Sequence, residues 1–390
     1  MENMSSNLTI DSHLTYSGEV APTIVGMSES GVRQIVDIFN RQITNGLHPG
    51  AQLVVLRHGQ VVVDRFGGLA NTDRGMPVNA DTPFLTYSVS KAFTGMCVHR
   101  LIEEGRVEWD APIARYWQEW GCNGKEKATI RQAFLHQAGL PLRGLNGELL
   151  LCWNWRLVMR YVANLKAEYE PGTRCAYHLV NYGFIMGGVI TRVAGLRPHD
   201  YLRKIFLEPL GMRNSYLGIP RRELRRAARI YCGDPQHRMA VQAFNAPIVR
   251  GAIIPAASLN STARDLAAFY QMLLNDGKYG GQQFLRPDTI SAATRLGYEG
   301  MDETIKYPVR WAHGFSLGGK LSENPNEVCG MGQKSTIRTF GHFGMASSMA
   351  WADPDADIAV AFTCNRLIED KQANLRWQEL SDAVWDSLSS

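Results

Sequence analysis

The strongest constraint on the fold is where the β-forming segments fall: at the two ends of the chain, with a long helical stretch between them. Near the N-terminus, Ala51-Gln52-Leu53-Val54-Val55-Leu56 and Val61-Val62-Val63-Asp64-Arg65-Phe66 are rich in the β-branched and aromatic residues that suit a pleated surface. Arg57-His58-Gly59-Gln60 between them is a hairpin signal. Strand patterns return at Trp311 to Leu317, Thr336 to Phe340, Met349 to Trp351 and Ile358 to Thr363, with a second hairpin around Asp353-Pro354-Asp355-Ala356-Asp357. From about 88 to 300 the apolar residues mostly follow helical spacing, broken by turns rich in Pro, Gly and Asn. A helix over Ser28 to Gly46 precedes the first strands. Another, from about Ala373 to Leu388, closes the chain with Leu375, Trp377, Leu380, Val384 and Leu388 as buried candidates. The pattern predicts an α/β (α+β) fold: a mixed, mainly antiparallel sheet built from both termini, flanked by helices, with a mostly helical domain inserted. The expected division is an N-terminal arm over 1–28, a sheet domain over 29–87 plus 300–390, and a helical domain over 88–299. A cleft between the last two is where a binding site is expected.

Composition narrows the function classes. At 390 residues, 45% apolar and 20% charged, the chain can bury a substantial core. The net charge of +4 is too small to argue for nucleic acid. No run of apolar residues is long enough to span a membrane, and the first residues carry neither the basic nor the apolar part of an export signal. Seven cysteines with no CxxC pair are expected to be reduced thiols, which together place the protein in the cytoplasm. Ten histidines include no HExxH, and no glycine-rich phosphate loop is present, so no metal and no cofactor are expected. The charge run Arg221-Arg222-Glu223-Leu224-Arg225-Arg226 reads as a solvated helix face. Either a monomer or a homodimer fits this composition.

Three segments carry residues suited to chemistry. In Thr86-Tyr87-Ser88-Val89-Ser90-Lys91 a serine and a lysine three apart share one face of a helix that runs to Gly105. A serine hydroxyl needs a neighbouring base to become a nucleophile, and a lysine serves only with its amine neutral, a state that burial beside other cations favours. The helix N-terminus favours the alkoxide. In Glu170-Pro171-Gly172-Thr173-Arg174-Cys175-Ala176-Tyr177, a phenol stands just before a helix over Leu179 to Ala194. Beside an ammonium it would be pushed toward phenolate, a second base and proton relay. In Gly341-His342-Phe343-Gly344-Met345, glycines flank His342 and let a substrate approach a strand whose N–H groups, with that of Ser88, would hold an oxyanion. Trp153, Trp155 and Trp311 are candidates to line a substrate pocket, with His313 beside the last. Gly314-Phe315-Ser316-Leu317-Gly318 matches GxSxG, but the loop-forming Gly318-Gly319-Lys320 follows where that motif needs a helix, so Ser316 reads as a strand residue.

Together, in this order and spacing, the segments resemble the serine β-lactamase and penicillin-binding-protein superfamily, most of all its class C-like branch, which includes the family VIII carboxylesterases. Ile130 to Leu140 (IRQAFLHQAGL), Leu207 to Met212 (LEPLGM) and Ser261 to Leu266 (STARDL) are similar to stretches of the same family, and the likeness runs over roughly 30 to 385. The resemblance implies a β-lactamase/transpeptidase-like fold and an acyl-enzyme on Ser88, with Lys91 and Tyr177 as general base and acid. Two departures bear on the substrate. Leu179 stands where the family's Tyr-x-Asn has asparagine, and His342 where its third element has lysine. Both changes favour a neutral carboxylic ester, with an alcohol or amine acyl acceptor as an alternative partner and β-lactam or D-amino-acid peptide hydrolysis as a further alternative.

Overall fold

A computed structural model of the chain describes residues 18–141, 147–322, 324 and 327–389. Residues 1–17 of the expected arm lie outside the described residues; residues 18–28 are packed, not loose. Val25 and Met27 are buried, Ser28 N–H donates to the Ser387 carbonyl at 2.8 Å and Ser389 N–H to that of Gly26 at 2.9 Å, so residues 26–28 are tied to residues 387–389.

Among the described residues, nine strands form one sheet in the order Tyr298–Asp302, Tyr307–Trp311, Ser316–Leu317, Phe340–Phe343, Met349–Asp353, Ile358–Cys364, Gly50–Arg57, Gln60–Asn71 and Met76–Pro77. Every neighbouring pair is antiparallel. The two halves of the chain join where Gly50–Arg57 pairs with Ile358–Cys364, Leu53 opposite Phe362 and Val55 opposite Val360. His58 and Gly59, both at positive φ, make the two-residue turn that matches strand twist.

Side chains alternate across this sheet with a consistent size difference. Leu53, Val55, Trp351, Val360 and Phe362 face the helices Glu29–Thr44 and Asp370–Asp386. Ala350, Ala352, Ala359 and Ala361 face the other way and join the larger core, where their small side chains let the Ala263–Leu274 helix lie close. That core continues into the helix Ser90–Glu103, which is buried almost all round, and the helix Asn181–Ala194 packed on it. A second small sheet, Phe84–Leu85, Leu259–Ser261 and Tyr216–Leu217, sits just before the Ser90–Glu103 helix.

Several local expectations are corrected. Trp311 to Leu317 is two strands, because Ala312–Phe315 turns inward at Gly314, φ +114°. Thr336–Thr339 is a turn closed by the Thr339 N–H to Thr336 carbonyl bond, and the strand begins at Phe340. Leu375 is 45% exposed, since the buried stripe of its helix runs Ala373, Trp377, Leu380 and Val384 and leaves Leu375 on the opposite face. Arg221 to Arg226 is a series of turns, not a helix. No helix among the described residues is long and apolar enough to cross a membrane. All seven cysteines are free thiols.

Candidate active site

Ser88 lies in a single 3-10 turn, Tyr87–Val89, that leads into the Ser90–Glu103 helix. The neighbouring strand holds this turn from both sides. Thr86 donates its N–H (2.8 Å) and its Oγ1–H (2.9 Å) to the Leu259 carbonyl. Ser90 Oγ accepts the Leu259 N–H at 3.0 Å and donates to the Tyr87 carbonyl. Held there, Tyr87 adopts φ +46°, a left-handed conformation that a bulky residue takes only under constraint from its surroundings. The turn leaves Ser88 half-buried, while Lys91, one turn on, is 1% exposed.

Lys91 Nζ is 3.0 Å from Ser88 Oγ, 2.7 Å from the Leu179 carbonyl and 3.4 Å from the Ala256 carbonyl. A neutral amine has two N–H donors and one lone pair. Two carbonyls and one hydroxyl match that inventory in number, so a neutral amine could accept the serine O–H at this 3.0 Å contact. Burial pushes the Lys91 amine well below its usual 10.5. Neighbouring cations, expected to share in such a shift, contribute nothing here; burial is the cause. The three imidazoles nearby are themselves pushed down, His136 well below 6.5, His178 to about 4 and His342 to about 3, each mainly by burial. Their neutrality is consistent with their contacts. His178 Nδ1 faces the Ala176 carbonyl at 2.6 Å and Nε2 accepts the Ala138 N–H at 3.2 Å, while His136 Nδ1 accepts the His178 N–H at 3.2 Å.

Tyr177 closes the group. Lys91 Nζ sits 4.5 Å from the centre of its ring, and its phenol stands beside Ser88. The phenolate expected beside an ammonium is corrected. Burial raises the Tyr177 phenol above its usual 10, with the Asp302 carboxylate adding to the rise, so it stays protonated. A lowered amine can take a proton and a raised phenol can give one. Trp311 stacks on Tyr177 at 5.4 Å and 14°, and His136 packs 4.6 Å from the same ring.

Asp302, fully buried, fixes this aromatic pair. Its Oδ1 accepts the N–H groups of Tyr177 (3.0 Å), Thr304 (2.9 Å) and Ile305 (3.0 Å), while Oδ2 faces Trp311 Nε1 at 3.4 Å. Sequence reasoning assigned no role to Asp302 or His136. His136 lies inside IRQAFLHQAGL, whose likeness to the family was the available signal; nothing in the sequence marks Asp302.

The third segment forms the opposite wall. His342 packs 6.3 Å from the Tyr177 ring and 6.2 Å from Trp311, its Nδ1 at 2.9 Å from the Phe343 carbonyl. Gly344 lies against the nucleophile turn so closely that a Cβ there would stand 2.2 Å from the Thr86 carbonyl oxygen. The Gly344 N–H donates to Ser348 at 2.7 Å and is therefore not free for an oxyanion. Met345 follows at 37% exposure in the tight turn to the next strand. The other candidates lie elsewhere. Trp155 packs against Phe184 and over Gly187, and Trp153 is 55% exposed. His313 is a core residue whose carbonyl accepts from His99 at 2.7 Å, and Ser316 is paired within the sheet opposite Gly341.

A half-buried serine 3.0 Å from a buried lysine amine, with a phenol ring beside both, is an arrangement suited to acyl transfer. A family model described as Beta-lactamase matches residues 37–384, so the chain belongs to the β-lactamase family and is a hydrolase of the β-lactamase/penicillin-binding-protein superfamily. "Esterase/beta-lactamase LipL" of Mycobacterium tuberculosis (strain ATCC 25618 / H37Rv) is 29% identical over 379 residues, covering 88% of this chain and 83% of that protein. The crystal structure of a family VIII carboxylesterase is 28% identical with a TM-score of 0.80, and that of a penicillin-binding-protein homologue from Caulobacter crescentus is 28% identical with a TM-score of 0.79. Each alignment covers 93% of this chain and 99% of the other.

Proposed function

We propose that the protein is a carboxylic-ester hydrolase working through an acyl-enzyme on Ser88. The observation that carries this reading is the 3.0 Å approach of Lys91 Nζ to Ser88 Oγ, with burial holding the amine neutral. Ser88 Oγ attacks the ester carbonyl as its proton passes to Lys91. The tetrahedral oxyanion is held by the Ser88 N–H and an N–H of Phe343 or Met345, the Gly344 N–H being engaged elsewhere. On collapse the Tyr177 hydroxyl protonates the leaving alcohol and is reprotonated by the Lys91 ammonium. Water, deprotonated along the same path, then releases the acid. Trp153 and Trp155, remote from the trio's aromatic wall, have no part in this scheme.

The surroundings favour a neutral ester over a β-lactam or peptide carboxylate. His342, kept neutral, offers no positive charge, and Leu179 offers no side-chain amide; its carbonyl is spent on Lys91. Similarity to an esterase/β-lactamase and to a family VIII carboxylesterase supports the same choice. Transfer of the acyl group to an alcohol is a second reading, favoured by the burial of Lys91 and Tyr177, which restricts water around the base. Turnover of p-nitrophenyl acetate that is abolished in Ser88→Ala and kept in Ser316→Ala is the expected result. Retained turnover in Ser88→Ala would refute the assignment. Nitrocefin and an added alcohol acceptor in parallel separate the alternatives.

A further inference from the structure

Beside the trio lies a cavity of about 560 Å3, within the roughly 300–1,000 Å3 typical of small-molecule sites. Its floor is one face of the Tyr307–Trp311 strand. Tyr307, Val309 and Trp311 alternate along it and point the same way, a track of about 13 Å from the outer end to the tryptophan. Leu317, Val328 and Phe343 supply the other walls. The charged residues around it are engaged with the protein. Arg310 pairs with Glu299 at 2.8 Å and donates to the Lys320 carbonyl at 2.9 Å, and Glu327 accepts the N–H groups of Leu321 and Ser322 at 2.8 Å each. Lys371 and Asn374 stand at the rim, Lys371 in solvent. What remains inside is mainly apolar, and suits an uncharged apolar group.

None of the three residues lines the cavity; it approaches them through Trp311, and that approach decides which part of an ester it takes. The inner end is Trp311, whose ring is stacked on Tyr177, and Val309 packs with the same cluster. Tyr177 is the group that gives a proton to the departing oxygen. That oxygen must sit within hydrogen-bond reach of the phenol, so its substituent continues past the phenol's stacked partner and along the strand. We infer that the cavity is the site for the alcohol portion of the substrate, and that this portion is bulky, apolar and uncharged. The inference rests on the Ser88 acyl-enzyme reading and adds to it the side of the ester that sets specificity.

The test compares wild type with Val309→Trp, from the floor, and Val328→Trp, from a facing wall, on three esters. Cyclohexylmethyl acetate has a bulky alcohol, ethyl acetate has neither part bulky, and ethyl octanoate has a long acyl chain. Melting temperature is read alongside, and either variant that melts as wild type suffices. The expected result is a loss of roughly tenfold or more in kcat/KM on cyclohexylmethyl acetate, with the two ethyl esters little changed. An equal loss on all three esters, or a loss confined to ethyl octanoate, would overturn the assignment while leaving the acyl-enzyme intact. Absence of Ser88-dependent turnover of every ester would instead overturn the acyl-enzyme reading and the inference with it.

Discussion

The molecule buries two lysines in similar surroundings, and only one of them is placed for chemistry. Lys91 is 1% exposed and Lys125 is not exposed at all. Each donates to two backbone carbonyls: Lys91 to Leu179 and Ala256, Lys125 to Cys122 and Leu165. Each lies over an aromatic ring, Tyr177 at 4.5 Å and Trp120 at 5.2 Å. Each even has a potential nucleophile three residues earlier, Ser88 and Cys122. Burial lowers the pKa of both amines.

The difference lies in what the third position of the amine meets. Ser88 Oγ is 3.0 Å from Lys91, and the Tyr177 phenol stands beside them. Cys122 Sγ stands 3.9 Å from Lys125 and faces the Ala163 carbonyl at 3.3 Å, which occupies its hydrogen. Trp120 has no hydroxyl to offer in place of a phenol. Carbonyl partners let a protein bury a lysine amine as a structural element. In the proposed mechanism, what sets Lys91 apart is a serine hydroxyl within 3.0 Å and a phenol ring beside it.

Mutations sharpen this contrast in order of size. Lys91→Met keeps the length and removes the base; kcat/KM for p-nitrophenyl acetate should fall by at least about 10³-fold. Its melting temperature should fall, because the Leu179 and Ala256 carbonyls lose their donor, with the relief of a desolvated amine offsetting part of that cost. Tyr177→Phe should cost about 10²- to 10³-fold on ethyl acetate and visibly less on p-nitrophenyl acetate, whose leaving group needs no proton. Equal losses on the two esters would remove the phenol from the acid role. Asp302→Asn puts an N–H₂ donor among the N–H groups of Tyr177, Thr304, Ile305 and Trp311, so the stacked pair should shift. We expect roughly 10- to 100-fold lower kcat and a reduced melting temperature, with the acid limb of the pH profile unmoved. Lys125→Met should leave kcat/KM within about threefold. It should cost about 1–3 kcal/mol in denaturant unfolding, since two buried carbonyls lose their donor. A large activity loss there would erase the distinction between the two lysines.

Much of this arrangement was legible in the sequence because it is local or periodic. Ser88 and Lys91 share a helix face by spacing alone. The two strand clusters show at the chain ends because β-branched runs and hairpin turns are short-range signals. What was not legible depends on chain-distant contacts. Asp302 reads as an ordinary loop acid until the fold brings it to Tyr177, from which it is separated by 125 residues. The protonation states also required the fold, since burial lowers Lys91 and is the main cause that raises Tyr177. Trp153 and Trp155 show the converse: an aromatic pair has no sequence mark that separates a cleft wall from core or surface.

The central claim is that the Lys91 amine is neutral when the enzyme meets its substrate. It is tested most directly by NMR titration of the protein with isotope-labelled lysine, the Lys91 signal being assigned by its loss in Lys91→Met. The free-amine shift should persist from high pH down to a midpoint well below 10.5, and the same midpoint should set where kcat/KM falls as the pH is lowered. An ammonium signal that survives up to 10.5, while the enzyme turns over ester at neutral pH, would contradict the account.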